Sequence, residues 1–142
     1  MFQIRNNHFI DSSGRVALLR GVNLSGSTKV PCIPAGATWN PAGFQDAVNV
    51  SFVGRPFPLA EADEHFSRLR AWGLTFLRFL VTWEAIEHAG PGLYDEAYLD
   101  YLYAVVKKAA DHDICLFIDP HQDCWSRFTG GDGAPGWTFD LL

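Results

Sequence analysis

Apolar residues recur along this chain in two rhythms. Leu59, Ala62, Phe66, Leu69 and Trp72 succeed one another at spacings of three or four, which predicts a helix over 58–72 closed by Gly73. Glu61, Asp63 and Glu64 in its first turns and Arg68 and Arg70 near its end suit the helix dipole. Tyr98, Leu99, Leu102, Val105, Val106 and Ala109 repeat the pattern behind Asp95, a natural cap, and place a second helix ending near His112 or Asp113. Between and around these stripes lie apolar runs without alternation, at 16–22, 74–80 and 114–118. Such runs are expected of strands covered on both faces, as in α/β sheets. Phe2 to Ile4 and Phe9 to Ile10 flank a polar turn and predict a hairpin ahead of the first run. The resulting order is hairpin, strand, helix, strand, helix, strand. It predicts βαβ units and a parallel sheet in one α/β unit.

The 35 residues from Asn23 to Phe57 carry Pro and Gly and no sustained period. A loop of that length in a compact domain usually has a function. Polar and aromatic residues then gather just after the three strands. Asn23, Ser25 and Lys29 come after the first, Trp83, Glu84 and Glu87 after the second, and His121, Asp123 and Trp125 after the third. Parallel α/β architectures bind ligands at that end of their strands, so three distant segments are expected to converge there.

Charge and composition narrow the chemistry. Eleven Lys and Arg against sixteen Asp and Glu give a net charge of -5, which offers no footprint for a phosphate backbone, and nucleic acid is not an expected partner. No apolar run reaches the length of a membrane span and the first residues lack a secretory signal, so an intracellular protein is expected, in the cytoplasm or the vacuole. Cys32, Cys115 and Cys124 form no CxxC pair and read as reduced thiols. An aromatic content of 14% suits either a dense core or a stacking surface for a flat ligand. Trp83 and Trp125 are placed for stacking on a sugar ring or a sterol; Trp72, on the helix stripe, reads as core.

Arg78 interrupts the second apolar run, and a charge there needs a carboxylate or a ligand to face. His121 and Asp123, two apart in an extended segment, point to the same side and can hydrogen-bond vicinal hydroxyls. Glu84 and Glu87 have the residue type of a glycosidase acid/base pair. Beside GlyProGly, however, they read as solvated or capping groups. His88, His121, Asp123 and Glu87 supply metal-donor types without a tight ligand motif, so no metal is expected. No GxGxxG, P-loop or GxSxG is present, and no cofactor is implied.

LeuArgGlyValAsnLeuSerGly at 19–26, LeuArgPheLeuValThrTrpGluAlaIleGluHisAlaGlyProGly at 77–92 and AspProHisGlnAspCysTrpSerArgPhe at 119–128 together resemble glycoside hydrolase family 5. The nearest branch is that of endoglycoceramidases and their fungal relatives that remove glucose from glucosylceramide or sterol glucosides. The resemblance runs from about Phe9 to the C-terminus and implies an eight-stranded TIM (β/α)8 barrel with retaining hydrolysis by two Glu. It implies support of the active site by Arg78 and Asn23. Sugar contacts are implied for Lys29, His121 and Asp123, with Trp125 beside them in the substrate-binding group. Residues 1–142 are then expected to be an incomplete catalytic domain, with a hairpin over 1–15 and about three of eight βα units over 16–142.

A whole barrel takes about 250 residues. The family's acid/base Glu comes directly after an Asn, and no Asn here is followed by Glu. The expectation is the N-terminal part of a retaining β-glucosidase acting on a glycolipid or other β-glucoside, inert alone, with contact to a lipid surface in the whole enzyme. The alternative is a non-catalytic sugar-binding or regulatory module. Sterol glucoside and glucosylceramide are not distinguished.

Overall fold

The computed structural model describes residues 2–24 and 26–141; Ser25 lies outside them. Strands β1 (Gln3–Arg5) and β2 (His8–Ile10) pair antiparallel around Asn6 and Asn7, both at positive φ. Asn tolerates that left-handed conformation better than other side-chain-bearing residues, so the two-residue hairpin turn forms. The hairpin also captures the segment after it. Val16 bridges to Ile10, and the Ala17 amide donates to the Phe9 carbonyl.

The first strand of the main sheet therefore begins later than its apolar run. It is β3 (Gly21–Leu24), where 16–22 was expected. Gly21 allows this late entry, because a Cβ there would sit 1.2 Å from the Phe76 carbonyl oxygen. β3 pairs in parallel with β4 (Phe76–Thr82), which pairs in parallel with β5 (Cys115–His121), in the spatial order β3-β4-β5. Both later strands also run past their apolar stretches, so that Thr82 and His121 end them in register.

Among the described residues four α-helices accompany the sheet: α1 (Pro41–Gln45), α2 (Ala62–Ala71), α3 (Trp83–Glu87) and α4 (Glu96–Asp111). The two long ones match the predicted stripes closely. Asp95 caps α4 by accepting from the Tyr98 amide at 2.9 Å. Phe66 of α2 and Tyr98, Val105 and Ala109 of α4 pack against Leu77, Phe79 and Val81 of β4, the alternate residues of one strand face. Trp72 is an exception to the prediction. It is 66% exposed, because α2 ends at Ala71 and the ring leaves the buried stripe.

The long segment after β3 is anchored. Phe52 is fully buried edge-on to Tyr98, the Tyr101 hydroxyl donates to the Phe57 carbonyl at 2.6 Å, and Ile33 and Ser51 pair through their backbones. Burial and the neighbouring phenol push the Tyr98 hydroxyl pKa well above its ordinary value. Asp63 ties α2 to α4 by accepting from Lys108 at 2.6 Å and facing His112 at 3.0 Å, contacts that hold its pKa below the usual range. A depressed carboxylate stabilises above its unfolded pKa and loses that contribution as pH falls through the folded one. Asp63→Asn should therefore show a smaller drop in urea midpoint than the native chain when pH is lowered from neutrality through the carboxylate range.

The other face of the sheet carries Asn23, Phe76, Arg78 and Phe117, with Phe117 substantially exposed. Among the described residues, β3 and β5 each pair on one side only. No helix among them is long and apolar enough to cross a membrane.

Candidate functional site

The carboxyl ends of the three strands bring the expected polar residues together. Arg78 lies in β4 opposite Phe117, and its guanidinium reaches Asp119 of β5 at 2.5 Å. Asp119 and His121 are two apart on one strand, so both side chains project to the same side. His121 Nδ1 stands 3.1 Å from the Asp119 carboxylate and 3.2 Å from Arg78. Its Nε2 stands 3.4 Å from Asp132 Oδ1. Asp132 Oδ2 in turn is 3.1 Å from the Lys29 ammonium. A continuous polar chain, Arg78, Asp119, His121, Asp132 and Lys29, thus links β4 and β5 to the segments beyond β3 and β5.

Lys29 closes a short 3-10 turn (Gly26–Lys29) beyond β3, and that turn is what carries its ammonium across to the loop after β5. Asn23 is in register with Arg78 and lines a shallow groove with Arg78 and Phe76 on the exposed sheet face. Asp123 joins through the backbone: its amide donates to the Asp132 carbonyl at 2.9 Å, and the Asp132 amide donates back at 2.8 Å. The turn needs Gly131, where a Cβ would fall 1.8 Å from the Asp123 carbonyl oxygen. His121, Asp123 and Asp132 bring donor atoms within 4.8 Å of one another. Lys29 already pairs with Asp132, and Arg78 holds Asp119 beside the same histidine, which favours a hydroxyl-bearing ligand over a further cation. His88 and Glu87 do not join that group. His88 is held by the Val48 carbonyl and Asp95, and Glu87 by the Trp83 indole and the Gly92 amide.

Three indoles form a wall next to the chain of charges. Trp83 meets Trp125 and Trp137 edge to face, with ring centroids 6.4 and 5.4 Å away. Trp125 is 45% exposed and directs its N–H to Thr138 Oγ1, while Trp137 donates to the Glu87 carbonyl. Fixing each N–H in this way leaves ring surface for stacking. Cys124 and Trp125 both have positive φ, a conformation disfavoured in residues with a Cβ, and it swings the chain from β5 into the loop. On the helix side of β4 and β5, an apolar cleft of about 380 Å³ runs between Val81, Ile86, Leu102, Ile118 and Pro120 and reaches His121.

Glu84 departs from expectation. It is buried rather than solvated, paired through both oxygens with the Nε of an equally buried Arg127, at 2.8 and 3.1 Å. Burial pushes its pKa up, and Arg127 opposes that shift. Arg127 also donates to the Phe44 and Asp46 carbonyls and lies against the Phe44 and Phe128 rings. The Glu84 amide donates to the Gly133 carbonyl at 2.7 Å. This knot fastens the long loop, α3 and the loop after β5 to one another.

Asp119, Asp132 and Arg127 were not among the residues singled out from sequence. The signal that could have found Asp119 is strand alternation back from His121, and for Asp132 it is an Asp enclosed by glycines. Nothing local marked Arg127, whose side-chain hydrogen-bond partners lie more than forty residues away.

Residues 35–138 match the family model for cellulase, glycosyl hydrolase family 5. The chain belongs to glycoside hydrolase family 5. It is 57% identical over 136 residues to a glucosylceramidase of Rhizopus delemar, covering 94% of this chain and 20% of that protein. It is 42% identical over 139 residues to an ergosteryl-beta-glucosidase of Saccharomyces cerevisiae, covering 94% of this chain and 18% of that one. The crystal structure of Cryptococcus neoformans sterylglucosidase 1 superimposes with a TM-score of 0.87 at 49% identity, over 93% of this chain and 19% of that one. The chain spans about a fifth of the length of the curated relatives it matches. Its architecture as a family 5 member is that of a TIM-barrel fragment.

Proposed function

We propose that residues 1–142 are the first three of eight βα units of a retaining β-glucosidase that cleaves glucose from a lipid aglycone, with 1–15 as a leading hairpin. The observation that carries this reading is the polar chain from Arg78 to Lys29, set at the carboxyl ends of parallel strands beside an indole wall. Lys29, His121 and Asp123 would hold glucose hydroxyls by charge-assisted hydrogen bonds, and Trp125 would offer its ring face to the sugar or the aglycone. Arg78 and Asn23 would support the active-site floor. Its similarity to a glucosylceramidase and to an ergosteryl-beta-glucosidase supports a glycolipid substrate and leaves the choice between the two aglycones to the loops that line them.

Incompleteness explains the rest of the surface. Exposed Phe117 on one face of the sheet and the apolar cleft on the other would be covered by further barrel units. None of the five Asn residues of this sequence precedes a Glu, and the buried Glu84 is committed to Arg127. The 142 residues alone are therefore expected to hydrolyse no β-glucoside, whereas the longest natural polypeptide carrying them should do so. In that polypeptide, His121→Ala should lower kcat/KM on a fluorogenic β-glucoside by about 10- to 100-fold, the scale of a lost charged hydrogen bond. Saturable turnover by the 142 residues, or unchanged kinetics in His121→Ala, would remove the proposal. A non-catalytic sugar-binding module would instead give saturable glucoside binding without turnover in the longest polypeptide.

A further inference from the structure

We infer that Asp132 is a positioning residue of this site: one carboxylate oxygen anchors the Lys29 ammonium while the other keeps the proton of His121 on Nε2. The inference rests on the glucoside-binding reading above and adds a residue and a role to it. Asp132 has a side chain only 3% exposed, against 37% for Lys29, so the carboxylate is the fixed member of that pair. Its Oδ1 is buried without a hydrogen-bond partner and so is His121 Nε2, and the two face each other at 3.4 Å. Two orphaned buried atoms of complementary kind, just beyond bonding distance, describe a contact that a small ring movement completes.

The proton's place is set from the other side of the ring. A neutral imidazole has one donor nitrogen and one acceptor nitrogen, and what surrounds each decides which is which. Arg78 meets the Asp119 carboxylate at 2.5 Å and also stands 3.2 Å from Nδ1. With Asp119 occupied by the guanidinium, Nδ1 can accept from Arg78, and the ring proton belongs on Nε2, facing Oδ1 of Asp132. Replace Asp132 by Asn and its single carbonyl oxygen turns to the Lys29 ammonium, which sets the amide NH2, a donor, against Nε2, while Asp119, 3.1 Å from Nδ1, becomes the better place for the proton. Asp132 would thus select the tautomer that presents a donor beside the Lys29 ammonium.

The backbone permits a clean substitution. Asp132 is held by paired backbone bonds to Asp123, and neighbouring Gly133 by the Glu84 amide, so the loop keeps its place without the carboxylate. The test uses the longest natural polypeptide labelled with 15N-histidine and 15N-tryptophan, with His121→Ala to assign the ring signals and octyl 1-thio-β-glucoside as a ligand that resists cleavage. Asp132→Asn is expected to move the His121 ring nitrogens from the Nε2–H pattern toward Nδ1–H and to weaken thioglucoside binding by about 10- to 100-fold. The indole N–H signals of Trp83 and Trp137 should stay where they are. Lys29→Met, a milder change at a part-exposed residue, should leave Asp132 with His121 as its remaining partner and strengthen the Nε2–H pattern. Ring nitrogens indifferent to both substitutions would overturn the inference, whether or not the glucoside binds. Absence of thioglucoside binding by the unsubstituted protein would count against the glucosidase reading alone, because the tautomer measurement stands without ligand.

Discussion

Arg127→Met is expected to destabilise the chain by about 3–5 kcal/mol, the cost of leaving one member of a buried ion pair uncompensated. Glu84→Gln is expected to cost markedly less, although it breaks the same pair. The asymmetry comes from the two environments. Arg127 without a carboxylate keeps the Phe44 and Asp46 carbonyls and two aromatic faces, all of which favour a guanidinium. Glu84 without Arg127 keeps its burial, which already pushes its pKa up against the attraction of Arg127. Ionisation of a carboxyl whose folded pKa is raised opposes folding above the unfolded pKa, and the penalty disappears as pH falls below it. Relative to the native chain, Arg127→Met should therefore recover stability on acidification into the carboxylate range. Equilibrium urea unfolding followed by tryptophan fluorescence at several pH values measures both effects. Equal losses for the two substitutions, independent of pH, would show that the pair acts only by filling space.

The second large effect is expected at Phe79. Its ring is fully buried in β4 within the cluster that includes Phe66, Tyr98 and Val105, and Phe79→Ala should cost about 3–5 kcal/mol by lost burial and a residual cavity. Phe79→Leu keeps most of the volume and should cost less than about half of that. Phe79 is the neighbour of Arg78, so the same strand that anchors the core sets the height at which the guanidinium meets Asp119. A loosened β4 should blunt glucoside binding in the longer polypeptide even though Phe79 points away from the site. The comparison of urea midpoints with thioglucoside affinity for Phe79→Ala and Phe79→Leu checks this link. Full affinity in a Phe79→Ala protein that has lost the expected stability would separate the core from the site.

Much of the framework was legible in the residues because it rests on local rules. The stripes of α2 and α4, the cap at Asp95 and the βα order depend on periodicity and capping within one segment, and the structure places them within a few residues of expectation. The resemblance of three ordered motifs to family 5 was equally legible, and the family match confirms it. The start of β3 was not. Val16 was apolar enough for a strand, yet which partner an apolar segment takes depends on what else competes for its backbone, and the hairpin at Ile10 captured it. Trp72 likewise kept the helical spacing and still lies exposed, because the helix ends one residue before it.

What the sequence determined by itself was therefore the kind of element, its order, and the family. Tertiary structure alone decided the fate of the charges. Glu84 and Glu87 are three residues apart in one short helix, and nothing local distinguishes them, yet one is sealed against Arg127 while the other accepts from the Trp83 indole at the surface. Asp132 became a bridge between Lys29 and His121 only when loops about a hundred residues apart met at the strand ends. Electrostatic partners are chosen by distance and burial in space, and neither quantity is written in the spacing of residues along the chain.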